Sequence, residues 1–456
     1  MVNINDLADR HDRLYERHKE FLGLQATNAI SIVGHREYLT TFSGQVTWAT
    51  LLSLVVRLYK GIKHIRISLD DDIERLPHVF FPNDIQNLRD ATLAMLDGLH
   101  GGHVKIEVGP REGVDVDMLR VDIGGQRYDE ASISVAGRGW VAFINDDRWH
   151  ALPNDANPIG PIAAACLGTA QIYKRLYSAR SARNMRLVFS AFDYSSNPES
   201  SPPLPAEIRL PKTFVPGAGA IGMGFLLTLQ SMATVSGSDG LFVIDDDELD
   251  GTNLNRCLLA VLTDIGYKKL EVLERRLTHR ALNLQYFDEK WQSFVRRAEH
   301  EDPRIFELVV SCVDKFDARK SVQYDKPPKV LLTAGTGDFL LTVSRHALND
   351  GLACGLCYQQ RERYPTCGTA SSGTQEVFEK PIDPSIGFVS AFASVQLAAE
   401  YLKEIRPEWS MARLRNTARV YVLEGRVKVS PRDKDPKCNC SSRYIALGYE
   451  DTWGNN

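Results

Sequence analysis

Two sets of residues in the second half of the chain have the types and spacing to do chemistry. The first begins with Gly217-x-Gly219-x-x-Gly222 and continues through Asp245, Asp247, Asn253, Arg256 and Lys269 to Asp314 and Arg319. Glycines at this spacing let backbone N–H groups close on phosphate oxygens at the start of a helix. A glycine loop of this kind also serves dinucleotides, with an acid at the end of the next strand for the ribose, and Asp245 in LFVIDDD stands there. A nicotinamide-dependent oxidoreductase leaves Asn253, Arg256 and Asp314 without a task. An enzyme that handles a triphosphate has a use for the Asn and the Arg, because an Arg presents a planar fork of donors to phosphate oxygens.

The second set is sulfur. Of eight cysteines, five fall in the last quarter of the chain, as Cys354-x-x-Cys357, Cys367 and Cys438-x-Cys440. The total is too small for a disulfide scaffold, whereas Cys354, Cys357, Cys438 and Cys440 offer the four thiolates of a structural tetrahedral zinc. The alternative is a set of redox or incidental thiols. Cys367 sits in YPTCGTASSGTQ, a polar loop that suits a nucleophile swinging toward a substrate better than a packed side chain. Cys166, Cys257 and Cys312 lie in apolar or helical context and read as packing residues.

The elements that would hold these residues occur twice. ISIVG (30–34), a helical run and HIRISLDDD (64–72) echo FVPGAG (214–219), a helix and LFVIDDD (241–247). Ala136-Gly137-x-Gly139 matches Ala334-Gly335-x-Gly337, and the apolar run 157–174 matches 383–403. Strand–Gly–helix–strand units build doubly wound α/β sheets. The sequence therefore predicts two tandem Rossmann-like domains. The first (1–194) keeps the fold but has HREYLTTFSG after Gly34 in place of a glycine loop; a Ser/Pro-rich linker covers 195–212, and the active domain covers 213–456.

The order GxGxxG, DxD, Asn and Arg, Lys, then SCVDKFDAR resembles the ubiquitin-activating enzymes and the ThiF-like adenylyltransferases of cofactor biosynthesis. It is most similar to compact two-domain activators of bacterial ubiquitin-like conjugation systems, some linked to antiviral defence. The resemblance implies ATP, with ribose binding by Asp245, Asp247 beside the nucleotide, phosphate contacts from Asn253, Arg256 and Lys269, and Mg²⁺ on Asp314. On its own, Asp314 could instead cap the helix that begins at KFDAR. The resemblance also gives Arg17, in Tyr15-x-Arg17 with Gly23, a contact reaching into the other domain's ATP site. It makes Cys367 the acceptor of an activated ubiquitin-like protein, which then passes to a ubiquitin-conjugating-like enzyme. Departures are Cys257 where the family usually has Gln, Ser311 where many members have Asp, and a Cys-x-Cys second pair. Activation of a sulfur-carrier protein is the alternative within the class; a non-catalytic scaffold for a ubiquitin-like protein is one outside it.

A net charge of −4 gives no electrostatic reason to expect nucleic acid or an anionic membrane as partner. The N-terminus is charged where a signal peptide is apolar, and the apolar runs fall short of the roughly 20 residues of a spanning helix. The expectation is a cytoplasmic protein, with self-association left open.

Overall fold

A computed structural model describes residues 28–58, 62–109, 118–127, 129, 132–177, 185–298, 303–357 and 386–454. Arg17 and Cys367 lie outside the described residues.

The first half contributes β1 (Ala29–Gly34), β2 (His64–Ser68), β3 (Lys105–Gly109), β4 (Leu119–Ile123), β5 (Ile133–Arg138), β6 (Val141–Ile144) and β7 (Leu187–Ser190). They form one sheet in the order β3-β2-β1-β4-β5-β6-β7. Pairing is parallel from β3 to β5 and antiparallel from β5 to β7. The second half supplies β8 (Ile208–Leu210), β9 (Thr213–Pro216), β10 (Val235–Ser238), β11 (Leu241–Ile244), β12 (Leu284–Phe287) and β13 (Leu308–Ser311). After these come β14 (Val330–Gly337), β15 (Leu340–His346), β16 (Thr417–Tyr421) and β17 (Arg426–Ser430). The large second sheet runs β12-β11-β9-β13-β14-β15-β16-β17, parallel up to β14 and antiparallel beyond it.

Set side by side, the two orders are one topology with an extra strand, β17, at the end of the second. The duplicated segments fall on matching elements. ISIVG and FVPGAG give the central strands β1 and β9, and the two Ala-Gly-x-Gly segments end β5 and β14. Parallel strands must be covered on both faces, which explains their near-continuous apolar runs. The covering helices include Phe42–Val56 and Ala220–Gln230, and two 19-residue helices, Ile159–Tyr177 and Gly387–Ile405. The 19-residue pair pack against each other across the halves. Gly387 is there for closeness, because a Cβ on it would lie 2.4 Å from the Asn255 carbonyl oxygen.

The junction between the halves is polar as well as apolar. Lys403, fully buried, donates to Glu400 Oε1 (2.5 Å) and to the Phe192 carbonyl (2.7 Å), and Tyr194 Oη donates to the same Glu400 oxygen (2.7 Å). Trp140 meets Trp409 edge-on at 5.4 Å between ring centroids. The segment expected as a bare linker carries more structure than its composition promised. Within it, β8 pairs in parallel with β10, burying Ile208 and Leu210 while Arg209 points outward. Among the described residues, no helix is long and apolar enough to cross a membrane.

Candidate nucleotide site and cysteine centre

In an open parallel sheet a crevice forms at the C-terminal ends of the strands where the order reverses. In the second sheet that point lies between β9 and β13. A cleft of about 750 Å³ opens there, within the range of sites for small ligands. Its walls come from segments far apart in sequence: the loop after β9, the acids after β11, the turn after β13 and the ends of β14 to β16.

The three glycines have separate physical reasons. Gly217 has φ +98°, and a Cβ there would lie 2.7 Å from the Cys312 carbonyl carbon. Gly222 allows the helix to close on the loop, since its Cβ would stand 2.1 Å from the Gly217 carbonyl oxygen. Gly219, the N-cap of helix Ala220–Gln230, would place a Cβ in open space. Nothing within the protein requires a glycine at that point. What its absent side chain keeps clear is the cleft in front of a helix N-terminus, a place suited to anions.

Asp245 is held by two backbone donors, the Ala218 N–H at 2.6 Å and the Asp247 N–H at 2.9 Å. The glycine loop and the acid after β11 are thus bonded to one another. Burial pushes the Asp245 carboxyl above its ordinary range, against the pull of the Lys269 charge 3.8 Å away. Asp247 shows the opposite balance. Desolvation would raise it, but the Lys269 hydrogen bond at 2.7 Å and the Lys269 charge bring it below the usual range. For Lys269, burial works against the cation while Asp245 and Asp247 outweigh it, so its pKa is raised and its charge held in place. Its position at the first turn of helix Lys269–Arg276 is fixed by its own N–H, which donates to the Asp247 carbonyl at 3.1 Å.

Asn253 and Arg256 lie on the turn after Asp250, and both are buried and line the cleft. The Asn253 carboxamide oxygen accepts from the Asp250 N–H at 3.3 Å, so part of this side chain shapes the loop itself. The Arg256 guanidinium donates to the Thr252 carbonyl (2.6 Å) and to Asn255 Oδ1 (2.9 Å). Asp314 is exposed on the cleft wall just beyond β13. The helix that follows it, Phe316–Tyr324, starts from Lys315 with no side-chain cap, so the capping role is not the one Asp314 fills. Arg319 turns back to donate to the Val313 carbonyl at 3.0 Å and lies beside Gly335.

The corresponding crevice of the first half is plugged. Tyr38, four residues beyond β1, is fully buried with its ring against Gly124. Its hydroxyl bonds Thr47 Oγ1 (2.9 Å) and the Gly137 carbonyl (2.7 Å), and the Gly137 N–H donates back at 2.7 Å. Gly137 is the counterpart of Gly335, which faces the open cleft in the second half. A ring therefore fills the space that stays empty in the duplicate. His35 closes the remainder, stacked over Gly125 and paired with Asp122 at 3.0 Å.

Cys354, Cys357, Cys438 and Cys440 come together as the spacing implied, with all four Sγ atoms within 4.8 Å of one another. Tetrahedral thiolates at about 2.3 Å from a zinc stand about 3.8 Å apart, and the closer Sγ pairs here measure 3.3, 3.7 and 3.9 Å. The Leu356 and Asp435 N–H groups point at Cys354 Sγ and Cys357 Sγ at 3.4 Å, and Tyr324 Oη lies 3.3 and 3.2 Å from Cys354 and Cys438. Donors around sulfur favour thiolate and orient it toward a metal. The donor set fits a zinc-type ion. The other described thiols differ: Cys166, Cys257 and Cys312 are all buried, the last two in the second half, and burial pushes Cys312 up to about 12 and raises Cys257.

Several cleft residues carried no signal in the sequence. His346, Ser344, Asn416 and Thr417 reach the wall only because β15 and β16 are laid antiparallel against β14.

The match to a known family covers the same half. A profile of the ThiF family matches residues 202–441. An uncharacterized protein, y4jF, of Sinorhizobium fredii is 29% identical over 47% of this chain. Ubiquitin-activating enzyme E1 1 of Candida albicans is 31% identical over 27% of the chain, and the NEDD8-activating enzyme E1 catalytic subunit of Arabidopsis thaliana 32% over 24%. The alignments span 43%, 13% and 23% of those proteins' own lengths. With more than half of its residues under the family profile and the glycine loop, acids and basic residues of that region gathered in one cleft, the chain belongs to the ThiF family.

Proposed function

We propose that the chain is an ATP-dependent adenylyltransferase that activates the C-terminal carboxylate of a ubiquitin-like protein. The observation that carries this reading is the convergence of five elements on one cleft: the open helix N-terminus at Gly219, Asp245, the paired Lys269, Arg256 and Asp314. In it, Asp245 receives the ribose and the Gly217–Gly222 loop takes phosphate oxygens. Lys269, Arg256 and Asn253 neutralise and orient the triphosphate. Asp314 would hold Mg²⁺, which supplies further charge neutralisation on the phosphates.

A carboxylate oxygen of the partner attacks the α-phosphorus as the bond to the bridging oxygen breaks, so pyrophosphate leaves and an acyl-adenylate forms. The residues contribute position and charge rather than covalent chemistry. Cys367, as thiolate, then attacks the acyl carbon, AMP departs, and the thioester passes to a conjugating enzyme's cysteine. Burial of Cys257 and Cys312 favours a thiol elsewhere for that step. Arg17 is assigned a contact with the nucleotide from the first half, whose own crevice is filled by Tyr38. The four-cysteine centre, with zinc, serves architecture. The domain division at 195–212 follows from the same reading.

The test is ATP–pyrophosphate exchange with ubiquitin-like and sulfur-carrier proteins from the same genome. Exchange should require one such partner and be lost in Asp314→Ala, while Cys367→Ala should keep exchange and lose the reductant-sensitive adduct. Exchange supported only by a sulfur carrier would move the substrate assignment. Exchange with neither, together with tight NADH binding, would reject adenylation.

A further inference from the structure

We propose that Arg57, in the first half of the chain, is a positioning residue for the nucleotide cleft of the second. It follows helix Phe42–Val56 as its C-cap and is 2% exposed. Its guanidinium crosses the junction and donates to three backbone carbonyls of one loop: Leu254, Leu258 (3.0 Å) and Ala260 (2.8 Å). Its Nε is held by Ser53 Oγ at 3.3 Å, one turn back on the same helix.

The loop it grips contains Arg256 and begins directly after Asn253. No strand ladder supports it; its internal bonds are short-range, from the N–H groups of Arg256 and Cys257 to the Asn253 carbonyl and from Ala260 N–H to Cys257. Leu254, Leu258, Leu259 and Ala260 are buried, so carbonyls in this stretch have little access to water. A buried carbonyl without a donor costs about 1–3 kcal/mol, and one planar cation satisfies three at once. The cation also stands at the C-terminal end of its own helix, where a positive charge is favoured. Arg57 thus fixes the backbone from which Asn253 and Arg256 reach the cleft, and it does so from an element that lines no part of the cleft.

This inference rests on ATP binding in that cleft. The experiment is calorimetric titration of the full chain with Mg·ATP, paired with thermal unfolding, for wild type, Arg57→Ala and Arg57→Lys. Loss of one charge-assisted anchor should raise the Kd for ATP roughly tenfold in Arg57→Ala. A low, non-denaturing concentration of guanidinium chloride should restore much of the affinity, since the free cation can re-enter the vacated space. Arg57→Lys, with one ammonium for three carbonyls, should fall between. A folded Arg57→Ala with wild-type affinity overturns the proposal, as does lost affinity that guanidinium leaves unchanged. Should Arg57→Ala not fold, Arg57→Lys decides, and wild-type affinity in it is equally fatal. Wild type that binds no ATP would refute the adenylation reading instead, so the two failures are distinct.

Discussion

His346 shows how the cleft wall treats a titratable side chain. It is 5% exposed, with Nδ1 2.8 Å from the Ala353 carbonyl and Nε2 2.9 Å from Ser344 Oγ, and burial lowers its pKa to about 4. That pairing fits a neutral ring donating from Nδ1 and accepting at Nε2. In the unfolded chain the ring binds a proton near its ordinary value, while in the fold it does so only near pH 4. Between those values the unfolded state holds more protons, so stability falls as pH drops from about 6.5 toward 4. The loss from this one residue should approach about 3 kcal/mol. A His346→Gln variant should show a flatter dependence of Tm on pH across that window; an unchanged slope would contradict the buried neutral imidazole. Residues of this kind were invisible in the sequence. Asp245, Lys269 and Asp314 could be read because they belong to a short ordered pattern after identifiable strands. His346, Asn416 and Arg57 belong to no local pattern, and only strand pairing or the contact between halves gives them a place.

At the scale of elements, helix Phe316–Tyr324 joins the two chemical centres. Its start follows Asp314, and its end presents Tyr324 to two of the cysteines, while Gln323 Oε1 accepts from the Gly355 N–H at 3.1 Å. Outer groups that orient metal ligands typically contribute 10–100-fold to metal affinity. With added Zn²⁺ as the probe of the four-cysteine centre, Tyr324→Phe should therefore weaken binding by about tenfold, measured by competition with a chromophoric chelator. Zinc affinity equal to wild type would mean that the phenol only packs there. The elements themselves were largely legible. Gly-terminated apolar runs located β1, β5, β9 and β14, and four cysteines in two pairs located the metal-type centre. Strand β8 was not, because its Ile-Arg-Leu alternation is three residues long and sits among prolines and serines that read as a connection. Its pairing with β10 is a tertiary event.

Across the whole molecule, duplication of one topology has produced one open crevice and one closed by Tyr38. Two ATP sites per chain are therefore not expected, and titration should give one. Opening the plug should not create a second site, because the loop after Gly34 lacks the glycines that admit phosphate. Tyr38→Ala should lower stability by about 3 kcal/mol or more, through lost packing and the unpaired Gly137 backbone, while ATP stoichiometry stays at one. A stoichiometry of two in that variant would show that the ring alone had kept the first site shut. The junction, where Lys403, Glu400 and Tyr194 meet and Arg57 reaches the second half, has a further consequence for kinetic order. Its two faces belong to one polypeptide, so each is always present to the other at the effective concentration set by the chain rather than by the solution. Specific adenylation rate should then hold constant as the enzyme is diluted with substrates kept saturating, and a rate falling with dilution would mean that a second copy completes the site.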